Sequence, residues 1–206
     1  RITSLSLGSN QGEKLENLQK AIHLIASEVG AIQKIAAVYK TPSWGFEGDE
    51  FLNTCIKVST YQAPEKLLQT LLAIEKKLGR TRKDQKEYQN RSIDIDVLLF
   101  DDEIIFSRTL TVPHPKMLLR KFVMVPLNEI ASTFIHPITK NKIEICLQNC
   151  EDTLGIEMIP EKLIRPIPLS EKYNYIAIEG NIAAGKTSLA NLLSDQFNAK
   201  VVLERF

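Results

Sequence analysis

Disulfide-forming capacity is nearly missing from this chain: its 206 residues hold three cysteines, Cys55, Cys146 and Cys150. An odd count gives no disulfide framework, and a reducing, cytoplasmic setting is the simplest expectation. No run of about 18 apolar residues occurs, so no segment is expected to span a membrane as a helix. Residues 1–10 lack the cationic start and apolar core of a secretory signal. Excess charge of one sign is missing as well: 26 Lys and Arg stand against 25 Asp and Glu, a net charge of +1. The basic footprint of a nucleic-acid binder is therefore absent, and the expected partners are small molecules, with no nucleic acid and no membrane. What is present is 44% hydrophobic and 25% charged, an ordinary globular composition that excludes a disordered chain. The length allows one or two domains.

Alternating apolar residues predict a strand over residues 2–7, stopped by Gly8-Ser9-Asn10. Leu15, Leu18, Ala21, Ile22 and Ile25 recur at helical spacing up to Gly30. Residues 32–41 read as a strand closed by Pro42, and residues 51–60 as another. Pro64 sits where a helix starts, and the leucine-rich pattern after it ends at Gly79. A polar, basic loop over residues 80–91 leads into a strand at 93–100, with 104–106 expected to pair with it. Residues 115–131 read as helical with an interruption at Pro126. The expected fold is α+β: a sandwich with helices packed on one antiparallel sheet. This domain is expected over 1–160, with a proline-bearing linker at 161–172. After the linker, strand, glycine loop, helix and strand over 173–206 read as the truncated opening of a P-loop α/β domain.

One short string concentrates chemistry. In Ile93-Asp94-Ile95-Asp96-Val97, residues two apart share a strand face, roughly 7 Å from each other. Asp94 and Asp96 therefore point one way and Ile93, Ile95 and Val97 the other. Two carboxylates on one face repel unless a cation lies between them, and Mg²⁺ takes a few carboxylate oxygens while leaving sites for water and phosphate. Taken alone the pair also fits a solvated acidic face. Its neighbours favour polyphosphate: Arg80, Arg82, Lys83, Lys86 and Arg91 precede it, and His114 and Arg120 follow. Arginine forks neutralise charge on transferring phosphates.

Leu7-Gly8-Ser9-Asn10, Tyr39-Lys40-Thr41-Pro42, Phe51-Leu52-Asn53, Gly79-Arg80-Thr81-Arg82, Arg91-Ser92-Ile93-Asp94-Ile95-Asp96-Val97-Leu98-Leu99-Phe100 and Leu110-Thr111-Val112-Pro113-His114-Pro115 follow one another in order. Together they closely resemble the 6-hydroxymethyl-7,8-dihydropterin pyrophosphokinase family over roughly residues 1–160. The resemblance implies a ferredoxin-like α+β fold, ATP as substrate, two Mg²⁺ ions, and transfer of the β,γ-pyrophosphoryl group of ATP to the pterin hydroxymethyl oxygen with release of AMP. It implies that Asp94 and Asp96 hold the metals and that Arg82 and Arg91 act with them in catalysis. It carries ATP contacts to Glu75, Arg82, Tyr88, Arg91, Val97, Thr111, His114 and Arg120. Pterin contacts go to Thr41, Pro42, Trp44, Phe51, Asn53, Asp94 and Phe122, and the family pattern implies a monomer. A flat heteroaromatic bicycle gains from stacking on Phe, and Asn supplies paired hydrogen bonds to its edge. The chain departs from the pattern where Tyr88 replaces a Trp, Gln89-Asn90 a Gly-Pro, and Leu72 a Gln.

Gly180-Asn181-Ile182-Ala183-Ala184-Gly185-Lys186-Thr187 fits the phosphate-loop pattern, in which Gly180 and Gly185 free backbone N–H groups, Lys186 adds charge and Thr187 reaches Mg²⁺. With Leu203-Glu204-Arg205 it resembles the opening of deoxynucleoside kinases, which implies Glu204 as the base that takes the 5′-hydroxyl proton. Two other readings stand beside the pterin enzyme: nucleoside phosphorylation by the C-terminal part, and a non-catalytic nucleotide-binding module.

Overall fold

The computed structural model describes residues 1–43, 48–80, 90–197 and 199–203. Trp44, Arg82, Tyr88 and Glu204 lie outside these. The chain divides into two compact units, Arg1–Pro166 and Ile167–Phe206. Among the described residues, no helix is long and apolar enough to cross a membrane.

In the first unit β1 (Ile2–Ser9) leads to α1 (Lys14–Glu28), then β2 (Gly30–Ile35), β3 (Tyr39–Thr41), β4 (Phe51–Thr60), α2 (Pro64–Lys77) and β5 (Asp94–Phe100). The sheet runs β5-β1-β4-β3, with β2 also on β4, and every pair is antiparallel. The single strand expected over 32–41 is broken. β2 lies along the end of β4 from Ile56 and β3 along its start to Asn53, with a detour at residues 36–38. Counted as one strand, the two complete a β-α-β-β-α-β order with spatial sequence fourth-first-third-second, the ferredoxin-like arrangement. A short β8 (Glu157–Met158) extends the sheet from β3. β6 (Ile105–Phe106) pairs with β7 (Thr111–Val112) in a separate ribbon and not, as expected, with β5.

Strand parity builds two cores. Leu5 and Leu7 of β1, Ile56 and Val58 of β4, and Ile93, Ile95 and Val97 meet Leu18, Ile22 and Ile25 of α1 and Leu67, Leu71 and Ile74 of α2. Each such side chain contributes about 1.5–3 kcal/mol by leaving water. On the opposite face Cys55, Leu98 and Leu99 meet Val123, Met124 and Leu127 of α3 (Lys121–Ala131) and Ile143 of α4 (Ile143–Gln148). α3 runs through Pro126, so the expected interruption does not occur. Pro126 removes one backbone donor, but burial of Val123, Met124, Leu127 and Ile130 along the same helix holds it together. Part of the expected linker is docked: Leu163 packs on the first core, and the Gln19 side chain bonds both backbone groups of Ile164.

α2 ends in a way that matters for the site. Gly79, at φ +86°, donates its N–H to Lys76 O (3.1 Å), and the Arg80 N–H reaches back to Glu75 O (3.0 Å). This is a Schellman cap, which needs a left-handed residue after the helix. Among the described residues a Cβ on Gly79 meets nothing within 4 Å, so Gly79→Ala probes the backbone cost. It is expected to lower stability by about 1–2 kcal/mol in a denaturant melt.

The second unit contains α5 (Leu169–Lys172) and α6 (Lys186–Phe197). The strands expected over 175–178 and 201–203 do not form, because a strand needs a hydrogen-bonded neighbour and none of the described residues of this unit supplies one. Tyr175 is left 79% exposed.

Candidate active site

The sheet register assembles the site. Gly8 of β1 lies opposite Asn53 on one side and Asp94 on the other, and Ser6 lies opposite Asp96. All five share the face that α3 covers only in part. The uncovered part is an open cleft lined by Ser6, Gly8, Thr41, Pro42, Phe51, Asn53, Arg91, Asp94, Asp96, Arg120 and Phe122.

One end is aromatic and neutral. Phe51 opens β4, and Phe122 stands in the first turn of α3. Asn53 is buried, and its Nδ2 donates to Thr41 Oγ1 at 2.8 Å, which orients the amide. The floor is Gly8: a Cβ there would lie 2.8 Å from Asn53 Oδ1 and 3.5 Å from the Phe51 ring. The other end is charged. Asp94 accepts from Arg80 at 2.5 Å on Oδ1 and from Arg91 at 2.7 Å on Oδ2. Arg80 also donates to Glu75, whose same oxygen accepts the Ile95 N–H at 2.8 Å. The Arg120 guanidinium sits 5.7 Å from the Phe122 ring centre and 3.8 Å from Asp96 Oδ2.

Asp96 is strained electrostatically. Burial, then the charge of Asp94, pushes its carboxyl up to about 7. His114 moves the other way, to about 4, through burial and then the Arg120 charge. It is therefore neutral near pH 7. Its Nδ1 accepts the Lys116 N–H at 3.2 Å, so the hydrogen bond assigns the ring proton to Nε2, which faces Asp96 Oδ2 at 3.9 Å.

A divalent cation fits this chemistry. Among the described residues no group of three or more His, Cys, Asp or Glu is arranged to hold a metal. The two aspartates offer carboxylate oxygens on one face, and a cation beside Asp96 would offset the burial and the Asp94 repulsion that raise its pKa. Two protein carboxylates with the other positions left to phosphate and water is the habit of Mg²⁺.

Of the residues carried over from the resemblance, Thr41, Pro42, Phe51, Asn53, Arg91, Asp94, Asp96, Arg120 and Phe122 converge on this cleft. His114 borders it through Asp96. Thr111 lies half-buried in β7. Two others are turned away from the cleft. The Val97 side chain is in the core beneath the sheet, as parity with Asp94 and Asp96 requires. The Glu75 carboxylate is buried beneath β5, bonded to Arg80 and Ile95. Arg82, Tyr88 and Trp44 lie outside the described residues. The arginine that the described residues bring to Asp94 beside Arg91 is Arg80. Its signal in the sequence was its place directly after the helix-ending glycine.

Fold and cleft together define an α+β protein that sets an acidic pair and arginines beside an aromatic-walled, side-chain-free floor. Residues 4–132 match the family model described as 7,8-dihydro-6-hydroxymethylpterin-pyrophosphokinase (HPPK). The chain belongs to this family. It is 37% identical over 163 residues to the 2-amino-4-hydroxy-6-hydroxymethyldihydropteridine pyrophosphokinase of Aquifex aeolicus (strain VF5), covering 79% of this chain and 92% of that one. The enzyme of the same name from Bacillus subtilis (strain 168) is 37% identical over 131 residues, covering 63% and 77%. Among solved structures, wild-type HPPK-DHPS of Plasmodium falciparum shares the fold with a TM-score of 0.59 at 17% identity, over 72% of this chain. The present chain spans 44% of that longer protein.

Proposed function

We propose that this chain transfers the pyrophosphoryl group of ATP to 6-hydroxymethyl-7,8-dihydropterin, giving the pterin diphosphate and AMP, a step of folate biosynthesis. The observation that carries the reading is the cleft itself: Asn53, Phe51 and Phe122 stand at one end, and Asp94, Asp96, Arg91 and Arg120 at the other. Family membership and the named relatives support it.

In this reading the pterin lies over Gly8, between Phe51 and Phe122, with Asn53 and Thr41 at its polar edge. The hydroxymethyl oxygen then attacks the β-phosphorus, and its proton passes to water. The bond from that phosphorus to the α,β-bridging oxygen breaks, and AMP leaves. Arg91, Arg80 and Arg120 neutralise the charge spread over the phosphate oxygens and on the departing one. Asp94 and Asp96 would hold Mg²⁺, which would screen the negative charge of the phosphates. Glu75 holds Arg80 and the β5 backbone in place from below. The reading carries with it a cytoplasmic enzyme whose first unit works as a monomer.

Gly8→Ala tests the pterin end. The added methyl must displace the Asn53 carbonyl oxygen, so KM for the pterin is expected to rise roughly tenfold, about 1.4 kcal/mol, with KM for ATP unmoved. Equal change in both KM values would count against the assignment.

We infer a second reading for residues 173–206: the opening of a P-loop deoxynucleoside kinase, with Gly180, Gly185, Lys186 and Thr187 around a phosphate and Glu204 as base. It is favoured by the start of α6 at Lys186 and by the Lys186 ammonium, which donates to the carbonyl oxygens of Gly180 and Asn181 at 2.7 Å each. One assay separates the activities. ATP, Mg²⁺ and the pterin alcohol should yield AMP, whereas a deoxynucleoside should yield ADP. Failure to form AMP with the pterin would overturn the main reading.

A further inference from the structure

Asn10 lies just past β1, outside the cleft lining, and is 1% exposed. Its side-chain amide and its backbone N–H are engaged. Oδ1 accepts the Arg91 N–H at 2.7 Å, and the Asn10 N–H donates to Arg91 O at 3.1 Å. Nδ2 donates to Asn90 Oδ1 at 2.7 Å and to Asp49 O at 3.3 Å. Asn90 Nδ2 closes the circuit on Asp49 Oδ2 at 3.0 Å. One buried carboxamide thus joins the end of β1, the residues that precede β5 and the residues that precede β4.

We propose that Asn10 is a positioning residue for the transfer reaction, holding the Arg91 guanidinium where the phosphates pass. Both backbone polar groups of Arg91 are tied to Asn10, which fixes the direction in which its side chain leaves the main chain. From that base the guanidinium meets Asp94 Oδ2 at 2.7 Å. Through Asp49 the same amide anchors the chain two residues before Phe51, so the arginine end and the aromatic end of the cleft share one fixed point. Asparagine suits the task chemically. Aspartate lacks the two donor hydrogens, serine is shorter, and glutamine is longer by one methylene. The inference rests on the pyrophosphoryl-transfer reading.

The test uses the whole chain. Asn10→Asp keeps the shape and the acceptor for the Arg91 N–H, but sets an anion against Asn90 Oδ1 and Asp49 O. It is expected to fold and to lose roughly a hundredfold in kcat, the scale of an approximately 1 Å misplacement of a reacting group. The loss should not add to that of Arg91→Ala: the double variant should be no slower than Arg91→Ala alone. Asn17→Ala, which removes contacts to Ser9 Oγ and Gln11 O in the same turn without touching Arg91, should keep wild-type kinetics. Independently of turnover, the Arg91 side-chain Nε–H resonance should be sharp and dispersed in the wild type and averaged in Asn10→Asp. If Asn10→Asp does not fold, Asn10→Ser is measured in the same way. Multiplicative losses in the double variant, or an unchanged Arg91 resonance, would overturn the proposal. A sharp resonance in a wild-type chain that makes no AMP would instead overturn the reading beneath it.

Discussion

Asp96→Ala is expected to reduce AMP formation at least about a thousandfold, about 4 kcal/mol of barrier, while the fold survives. Both halves follow from the position of the side chain. Asp96 stands on β5, the strand that begins the sheet order, facing the cleft, and its pKa is pushed up to about 7 by burial and by Asp94. The Arg120 guanidinium lies 3.8 Å from it and the neutral His114 ring 3.9 Å. A carboxylate so placed is poorly compensated by the protein alone, so its removal relieves repulsion. Asp96→Asn keeps the shape and removes the charge, and should lose nearly as much activity. Steady-state turnover with a parallel thermal melt checks both claims. An alanine variant with near-normal turnover would sink the metal assignment.

Arg91→Ala is expected to lower kcat by roughly 10³, the lower end of what a transition-state arginine supplies in phosphoryl transfer. Arg91→Lys should recover only part, because a point charge cannot reproduce a planar fork on phosphate oxygens. Stability should change little, since Asp94 keeps its second guanidinium from Arg80 at 2.5 Å. Arg80 is a less clean probe of chemistry. It also neutralises Glu75, and its removal leaves a buried carboxylate without its cation, a strongly destabilising change. Retention of kcat in Arg91→Ala, with only a raised KM for ATP, would reassign Arg91 to ground-state binding.

Much of the first unit was legible, for identifiable reasons. Period-two alternation located β1, β4 and β5, and helical spacing located α1 and α2 with their buried stripes. The same parity placed Asp94 and Asp96 on one face, and it already turned Val97 away from them. Glu75 carried a similar signal: it falls beside Leu71 and Ile74 on the buried stripe of α2, where a carboxylate must find internal partners. What was not legible depends on distant pairing. The break at residues 36–38 arises because β2 and β3 share β4 as a neighbour. Arg80 reaches Asp94 only because a helix cap turns the chain back. The partners of Asn10 are 39 and 80 residues away. In the second unit the periodicity of 175–178 suggested a strand, but periodicity cannot supply the neighbouring strand that makes one.

The cap at Gly79 also makes the length of α2 a chemical variable. Each residue advances a helix by about 100° and 1.5 Å. Adding or deleting a single residue anywhere between Pro64 and Lys77 would swing the following guanidinium away from Asp94, or carry Glu75 out of the interior. Variation among descendants of this chain should therefore tolerate changes of residue type along the solvent side of that helix far better than any change in its number of residues.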